Sequence, residues 1–221
     1  MKFFVSGTDT DIGKTVATGW LARRYAARGL SAITQKLVQT GCRGASIDIL
    51  EHRRIMGVGL TPFDESSLTC RYVMGYPASP HIVAKMEGVK LDFDALARDT
   101  AELEKSFDVV LVEGAGGLMV PLDENFLTID YIKKYDLPLW LVAPSKLGSL
   151  NHALLSLSAV RSRGIELAGV VYNTYPPAPP EIENSTREFL AEHLKKYFPK
   201  AELLDMGKVN EARKKILGGF V

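Results

Sequence analysis

The 221-residue sequence predicts an α/β fold, a doubly wound and mostly parallel sheet flanked by helices. Three observations carry that expectation. Four short apolar runs, at 3–5 (FFV), 108–112 (DVVLV), 137–143 (LPLWLVA) and 167–172 (LAGVVY), have the make-up of strands buried on both faces. Helix-forming stretches separate them, and strands alternating with helices build a parallel sheet. Glycines and charged residues gather just after the strands, at the edge where such sheets bind ligands.

In chain order, the first strand runs into a glycine-bounded loop and a helix at 14–28. A fifth strand at 32–38 (AITQKLV) is more polar but carries β-branched residues. A helix is expected near 48–56. The stretch 57–80 mixes glycine, proline and polar residues and permits several readings. Helices at 92–105, 147–163 and 181–197 complete the pattern. In the second of these Leu150, Leu154, Leu157 and Val160 recur at three- and four-residue spacing, an apolar helix face. The run 175–180 (YPPAPP) reads as a stiff surface turn, and 1–221 is expected to be one domain.

The chain is 46% hydrophobic and 24% charged, enough apolar content for a core, and its net charge of +1 provides no basic field for nucleic acid or an anionic membrane. Cys42 and Cys70 form no CxxC pair, so a disulfide framework or zinc site is not expected. Only FFVS lies between Lys2 and the first glycine, too short for a signal-peptide core, and no apolar run approaches spanning length. A cytoplasmic protein is expected.

Three motifs carry the chemistry. The first is Gly7-Thr8-Asp9-Thr10-Asp11-Ile12-Gly13-Lys14-Thr15, a phosphate-loop pattern with five residues between its glycines instead of four. It follows a strand and opens a helix, so backbone N–H groups and the helix dipole would hold a di- or triphosphate. Lys14 would reach the outer phosphates and Thr15 would ligate Mg²⁺. The second is DVVLVEGAGG: Glu113 ends an apolar strand beside that loop, and the following glycines let backbone approach a ligand. The third is Lys36 with Thr40, which would set a second positive charge beside Lys14. Taken alone, a strand lysine is usually a solvated edge residue, and Asp48 before an apolar helix is usually an N-cap.

Together GTDTDIGKT, Lys36 with Thr40, EGAGG and KLGSLNHALL resemble the dethiobiotin synthetase family, from residue 3 to about 175. Ser79-Pro80-His81 and Asn173 fit the same pattern. The resemblance implies a P-loop NTPase-like fold and a cyclo-ligase that joins 7,8-diaminopelargonic acid, CO₂ and ATP. It implies catalytic roles for Lys14 and Lys36. A nucleotide site would comprise Asp11, Ile12, Gly13, Lys14, Thr15, Val16, Asp48, Glu113, Gly114, Ala115, Gly116 and Asn173. Thr15, Asp48 and Glu113 would hold Mg²⁺. Substrate contacts fall on Thr10, Lys36, Thr40 and Gly117, and on Gly148, Ser149, Leu150 and Asn151. Because the family holds the substrate carboxylate partly through a neighbouring subunit, a homodimer with a shared site is implied. The chain departs from the family at Lys36-Leu37-Val38, where Lys-Pro-Val is common. It departs again at 204–208 (LDMGK), where a Gly-x-(Ile/Leu)-Pro loop usually wraps the base. A ParA/MinD-type ATPase switch or a related amidoligase are the competing readings. The former typically carries an extra lysine early in the loop, where this chain has Thr8, Asp9 and Thr10.

Overall fold

The computed structural model describes residues 1–209; the last twelve positions of the expected 1–221 domain lie outside the described residues. Six parallel strands form the central sheet: β1 (Lys2–Gly7), β2 (Ala32–Lys36), β5 (Val109–Gly117), β8 (Leu139–Pro144), β9 (Leu167–Asn173) and β10 (Glu202–Met206), in the spatial order β10-β9-β8-β1-β5-β2. Two small ribbons stand apart from it. One pairs β3 (Gln39–Thr40) with β4 (Val73–Met74) in parallel, the other β6 (Pro121–Asp123) with β7 (Phe126–Leu127) in antiparallel.

Successive strand side chains point to opposite faces, and each face has its own core. Val5, Val109, Leu111, Trp140 and Val142 pack with Ala17, Leu21 and Ala22 of α1 (Lys14–Ala26) on one side. On the other, Phe4, Val110, Val112, Leu139 and Leu141 meet α5 (Phe93–Leu103), α6 (Thr128–Lys134), α7 (Ser149–Ser162) and α8 (Pro180–Tyr197). In α7 the fully buried stripe is Ala153, Leu157 and Val160, while Leu150 and Leu154 are only half-buried. Among the described residues, no helix is long and apolar enough to cross a membrane.

The expected strand at 32–38 divides. It leaves the sheet after Lys36, and Gln39–Thr40 pair instead with β4. The ambiguous stretch contains α3 (Pro62–Glu65) and β4, and α4 (Pro80–Glu87) follows, opened by Ser79 and Pro80. α2 (Ile47–Met56) begins one residue before the expected start because Ser46, not Asp48, caps it: Ser46 Oγ accepts from Ile49 N at 3.2 Å.

Two devices hold α2 where it is. Gly19 of α1 faces it so closely that an added Cβ would stand 3.0 Å from Ile55 Cβ and 3.2 Å from His52 Cα. Arg53, 2% exposed, donates from Nε and Nη2 to Asp64 (2.9 and 2.7 Å) and from Nη1 to Thr34 Oγ1 (2.8 Å), tying α2 to α3 and β2. Burial pushes the Asp64 carboxyl up. Arg53, Thr61 and Thr69 outweigh that and hold it at about 2.

Gly19→Val should force the two helices apart and cost about 1–3 kcal/mol, a fall of roughly 2–12 °C in Tm for a chain of this size. An unchanged melting curve would show that the close approach is not needed. Asp64 has a depressed pKa, so its contribution is present above the ordinary carboxylate range and is lost as pH falls toward its folded value. Wild type should therefore exceed Asp64→Asn in stability at pH 7, with the gap closing as pH drops from about 4 to about 2. Urea midpoints measured across that range check this, and a pH-independent gap would contradict it.

Candidate active site

The loop from β1 to α1 is built on left-handed backbone. Asp11 has φ 53° and Gly13 φ 89°. Gly13 is required on two counts, since a Cβ there would also lie 2.6 Å from the Asn173 amide nitrogen. Asn173 braces the loop, donating from Nδ2 to Ile12 O (2.9 Å) and accepting at Oδ1 from Tyr175 N (3.1 Å). The opening N–H groups of α1 have no intrahelical acceptor and no capping side chain, which leaves them available to an anion. Lys14 folds back over the loop, its Nζ donating to Asp9 O at 2.6 Å. Burial pushes this ammonium below the usual lysine range despite the nearby Glu113 carboxylate.

Behind the loop lies a compact ionic cluster. Lys36, the last residue of β2, is the register partner of Glu113 in β5. Its Nζ lies 2.5 Å from Asp48 Oδ2 and 2.8 Å from Glu113 Oε1, and donates to Gly114 O at 3.2 Å. Thr15 Oγ1 lies 3.2 Å from Asp48 Oδ1 and 3.1 Å from Glu113 Oε1. Glu113 is 1% exposed. Burial alone would raise its pKa, but Lys36 and the hydrogen bond from His52 hold the carboxyl well below the usual range. For Lys36, burial opposes the charge, and Glu113 with Asp48 outweighs it, keeping the ammonium above its ordinary value. Neither expectation of a bystander holds: Lys36 is 5% exposed rather than a solvated edge lysine, and Asp48 is spent on this cluster rather than on a cap.

Thr10, Asp11, Gly13, Lys14, Thr15, Val16, Lys36, Thr40, Asp48, Glu113, Ala115 and Gly116 all line one cavity of 430 Å³. Ile12 is buried in the loop behind it, and Gly114 and Gly117 lie in the same β5 segment. Gly148, Ser149, Leu150 and Asn151 do not line it; they form the start of α7, where Ser149 is buried and Asn151 exposed. The sequence reading missed two residues. Gln39 Oε1 accepts from Ser46 Oγ (2.7 Å) and Asp48 N (3.2 Å), setting the start of α2. His52 Nε2 lies 2.6 Å from Glu113 Oε2. The four-residue spacing of Asp48 and His52, which puts both on one helix face, was the available signal.

Among the described residues no cluster of three or more His, Cys, Asp or Glu is arranged to hold a metal. The convergent donors are instead a hydroxyl and two carboxylates, from Thr15, Asp48 and Glu113. This hard-oxygen set fits Mg²⁺, which binds through one or two carboxylates and takes its remaining ligands from phosphates and water.

A family model described as "AAA domain" matches residues 1–210. ATP-dependent dethiobiotin synthetase BioD 2 of Pasteurella multocida is 46% identical over 206 residues, covering 92% of this chain and 97% of that protein. The corresponding BioD of Chlorobaculum tepidum is 49% identical over 203 residues, covering 91% and 85%. Among solved structures, the pNOB8 ParA bound to nonspecific DNA superposes with a TM-score of 0.57 at 14% identity, covering 98% of this chain and 92% of that one. Apo McdA from Cyanthece gives 0.53 at 11%, covering 100% and 90%. Likeness at that identity extends to the fold alone, that of the P-loop NTPases. Sequence identity near one half over almost the whole chain goes further, and the protein belongs to the family of ATP-dependent dethiobiotin synthetases, ligases of biotin biosynthesis.

Proposed function

We propose that the protein carboxylates 7,8-diaminopelargonic acid with CO₂ and closes the ureido ring at the expense of ATP, yielding dethiobiotin, ADP and phosphate. The observation that carries this reading is Lys36 held between Asp48 and Glu113 on the wall of the cavity that Lys14 also lines. One amine attacks CO₂ and loses a proton, leaving a carbamate. A carbamate oxygen then attacks the γ-phosphorus with ADP departing, and the second amine attacks the carbonyl carbon of the mixed anhydride. Phosphate and a proton leave as the ring closes. Both amines belong to one molecule, so closure gains from proximity.

The α1 N-terminus and the loop backbone hold the phosphates, and Lys14 leaves the Asp9 carbonyl for the γ-phosphate. Lys36 holds carbamate oxygen and stabilises the charge that develops there. Thr15, Asp48 and Glu113 would hold Mg²⁺, which would supply Lewis-acid stabilisation of the charge on the phosphates. Thr10 and Thr40 orient the diamine. Asn173 stands beside Gly13 and retains one amide N–H beyond that given to Ile12, a donor for the base. A second cavity, of 440 Å³, shares Thr10 and is walled by Leu118, Met119, Val120 and Leu155, a suitable channel for the methylene chain of the substrate.

The carboxylate end falls to Gly148–Asn151 of a second copy. Leu147 and Leu155 are 80% and 63% exposed and Met119 is 55% exposed, apolar surface that a homodimer would cover. A cytoplasmic location suits the pathway.

Phosphate release from MgATP and bicarbonate should depend strictly on added diamine, and dethiobiotin should appear in step with it. Hydrolysis indifferent to the diamine and stimulated by a partner protein would replace this reading with an ATPase switch. Lys36→Arg keeps a cation between the carboxylates and should fold, yet it replaces a compact ammonium with a planar fork. Product formation should fall by about 10²-fold or more, while thermal melting stays near wild type. Wild-type turnover by this variant would remove Lys36 from the chemistry.

A further inference from the structure

Glu113 has two carboxylate oxygens with different partners. Oε1 faces Thr15 Oγ1 at 3.1 Å and Lys36 Nζ at 2.8 Å, on the cavity side. Oε2 faces His52 Nε2 at 2.6 Å, in the interior, where His52 is 0% exposed. An ionised carboxylate only accepts hydrogen bonds, so Nε2 must carry the hydrogen. Nδ1 is buried and has no hydrogen-bond partner among the described residues.

The ring is itself held. Its helix lies against Gly19 of α1, and the neighbouring Arg53 is locked to Asp64 and Thr34. Four residues before it on the same helix, Asp48 grips Lys36 and faces Thr15. One face of α2 thus governs both carboxylates of the cluster.

We propose that His52 is a positioning residue for the reaction: by holding Glu113 Oε2 it turns Oε1 toward Thr15 and Lys36. Removing the imidazole donor frees the carboxylate to rotate and leaves a buried oxygen without its hydrogen bond. The inference rests on the reading of Glu113 as a cation-binding carboxylate under the proposed function. Partners of this kind, one step behind a metal-binding group, typically change metal affinity or activity by about 10–100-fold when removed.

Two variants test it. His52→Leu removes the donor with little change in bulk. His52→Gln restores an amide N–H at about the reach of Nε2. Three measurements apply to each: Mn²⁺ affinity in the presence of ATP, kcat and diamine KM for dethiobiotin formation, and Tm. His52→Leu should weaken Mn²⁺ binding and lower kcat by about 10–100-fold each, with diamine KM little changed, and His52→Gln should recover most of both. Wild-type Mn²⁺ affinity in folded His52→Leu overturns the proposal, and so does a folded His52→Gln as impaired as the leucine variant. If His52→Leu does not fold, His52→Gln decides alone, near-wild-type Mn²⁺ affinity supporting the proposal and a tenfold loss overturning it. If neither variant folds, the imidazole is a structural requirement and the positioning role is rejected. Should the wild type make no dethiobiotin, the proposed reaction fails, yet the Mn²⁺ comparison still tests whether His52 orients Glu113.

Discussion

The buried charge of Glu113 is the constraint around which the carboxyl edge of the sheet is organised. A carboxylate removed from water costs several kcal/mol unless charge and hydrogen bonds compensate it. At 1% exposure Glu113 has few routes to solvent. Its compensation comes from three other elements, Thr15 of α1, Lys36 of β2 and His52 of α2. Each of those elements must therefore dock correctly before the charge can be tolerated. The order of the sheet makes this possible, because β5 lies between β1 and β2 and delivers Glu113 between the loop and Lys36.

The same arrangement ties packing to electrostatics. α2 reaches Glu113 only because Gly19 lets it approach α1 at backbone distance. The helix then presents Asp48 and His52 from one face, while Arg53 turns toward Asp64 and β2. A side chain at Gly19 would displace both site contacts without touching a charged group. Lys36 stays charged despite its burial because the carboxylates outweigh desolvation. Lys14, whose nearest partner is a loop carbonyl, is shifted in the opposite direction. Two buried lysines in one cavity thus have opposite tendencies, the less well compensated of the two being the one an incoming phosphate would serve.

Most of the sheet was legible because its strands are apolar runs and its ligand edge is marked by glycine. Most of FFV, DVVLV, LPLWLVA and LAGVVY falls in a strand, and the residues that follow two of them, Glu113 and Asn173, face the site and the loop. What escaped had no periodic signal. β10 is an edge strand of five residues in which Leu203 and Leu204 are only half-buried. The 3–4 residue pieces α3 and β6 are too short to show a period, α3 being opened by a local capping box between Thr61 and Asp64 with Pro62 at its first position. Gln39 sits in a two-residue strand, and for His52 the four-residue spacing from Asp48 marks a shared helix face and nothing more. Their roles depend on which atom of a distant residue they meet, and spacing does not encode that. Ser46 is different, for a serine just ahead of the helix was a readable cap that Asp48 obscured.

The extra residue of the loop now has a physical setting. On the path from Gly7 to Gly13, Asp11 adopts left-handed backbone at φ 53°, as Gly13 does at φ 89°. The detour carries Thr10 to an exposed position on the rim of both the 430 Å³ and the 440 Å³ cavities. It also puts the Asp9 carbonyl within 2.6 Å of Lys14 Nζ. Under the proposed reaction the carbamate must meet the γ-phosphate between these two spaces. The lengthened loop and the 115–120 segment would then touch both, and Thr10 would serve the second substrate as much as the nucleotide.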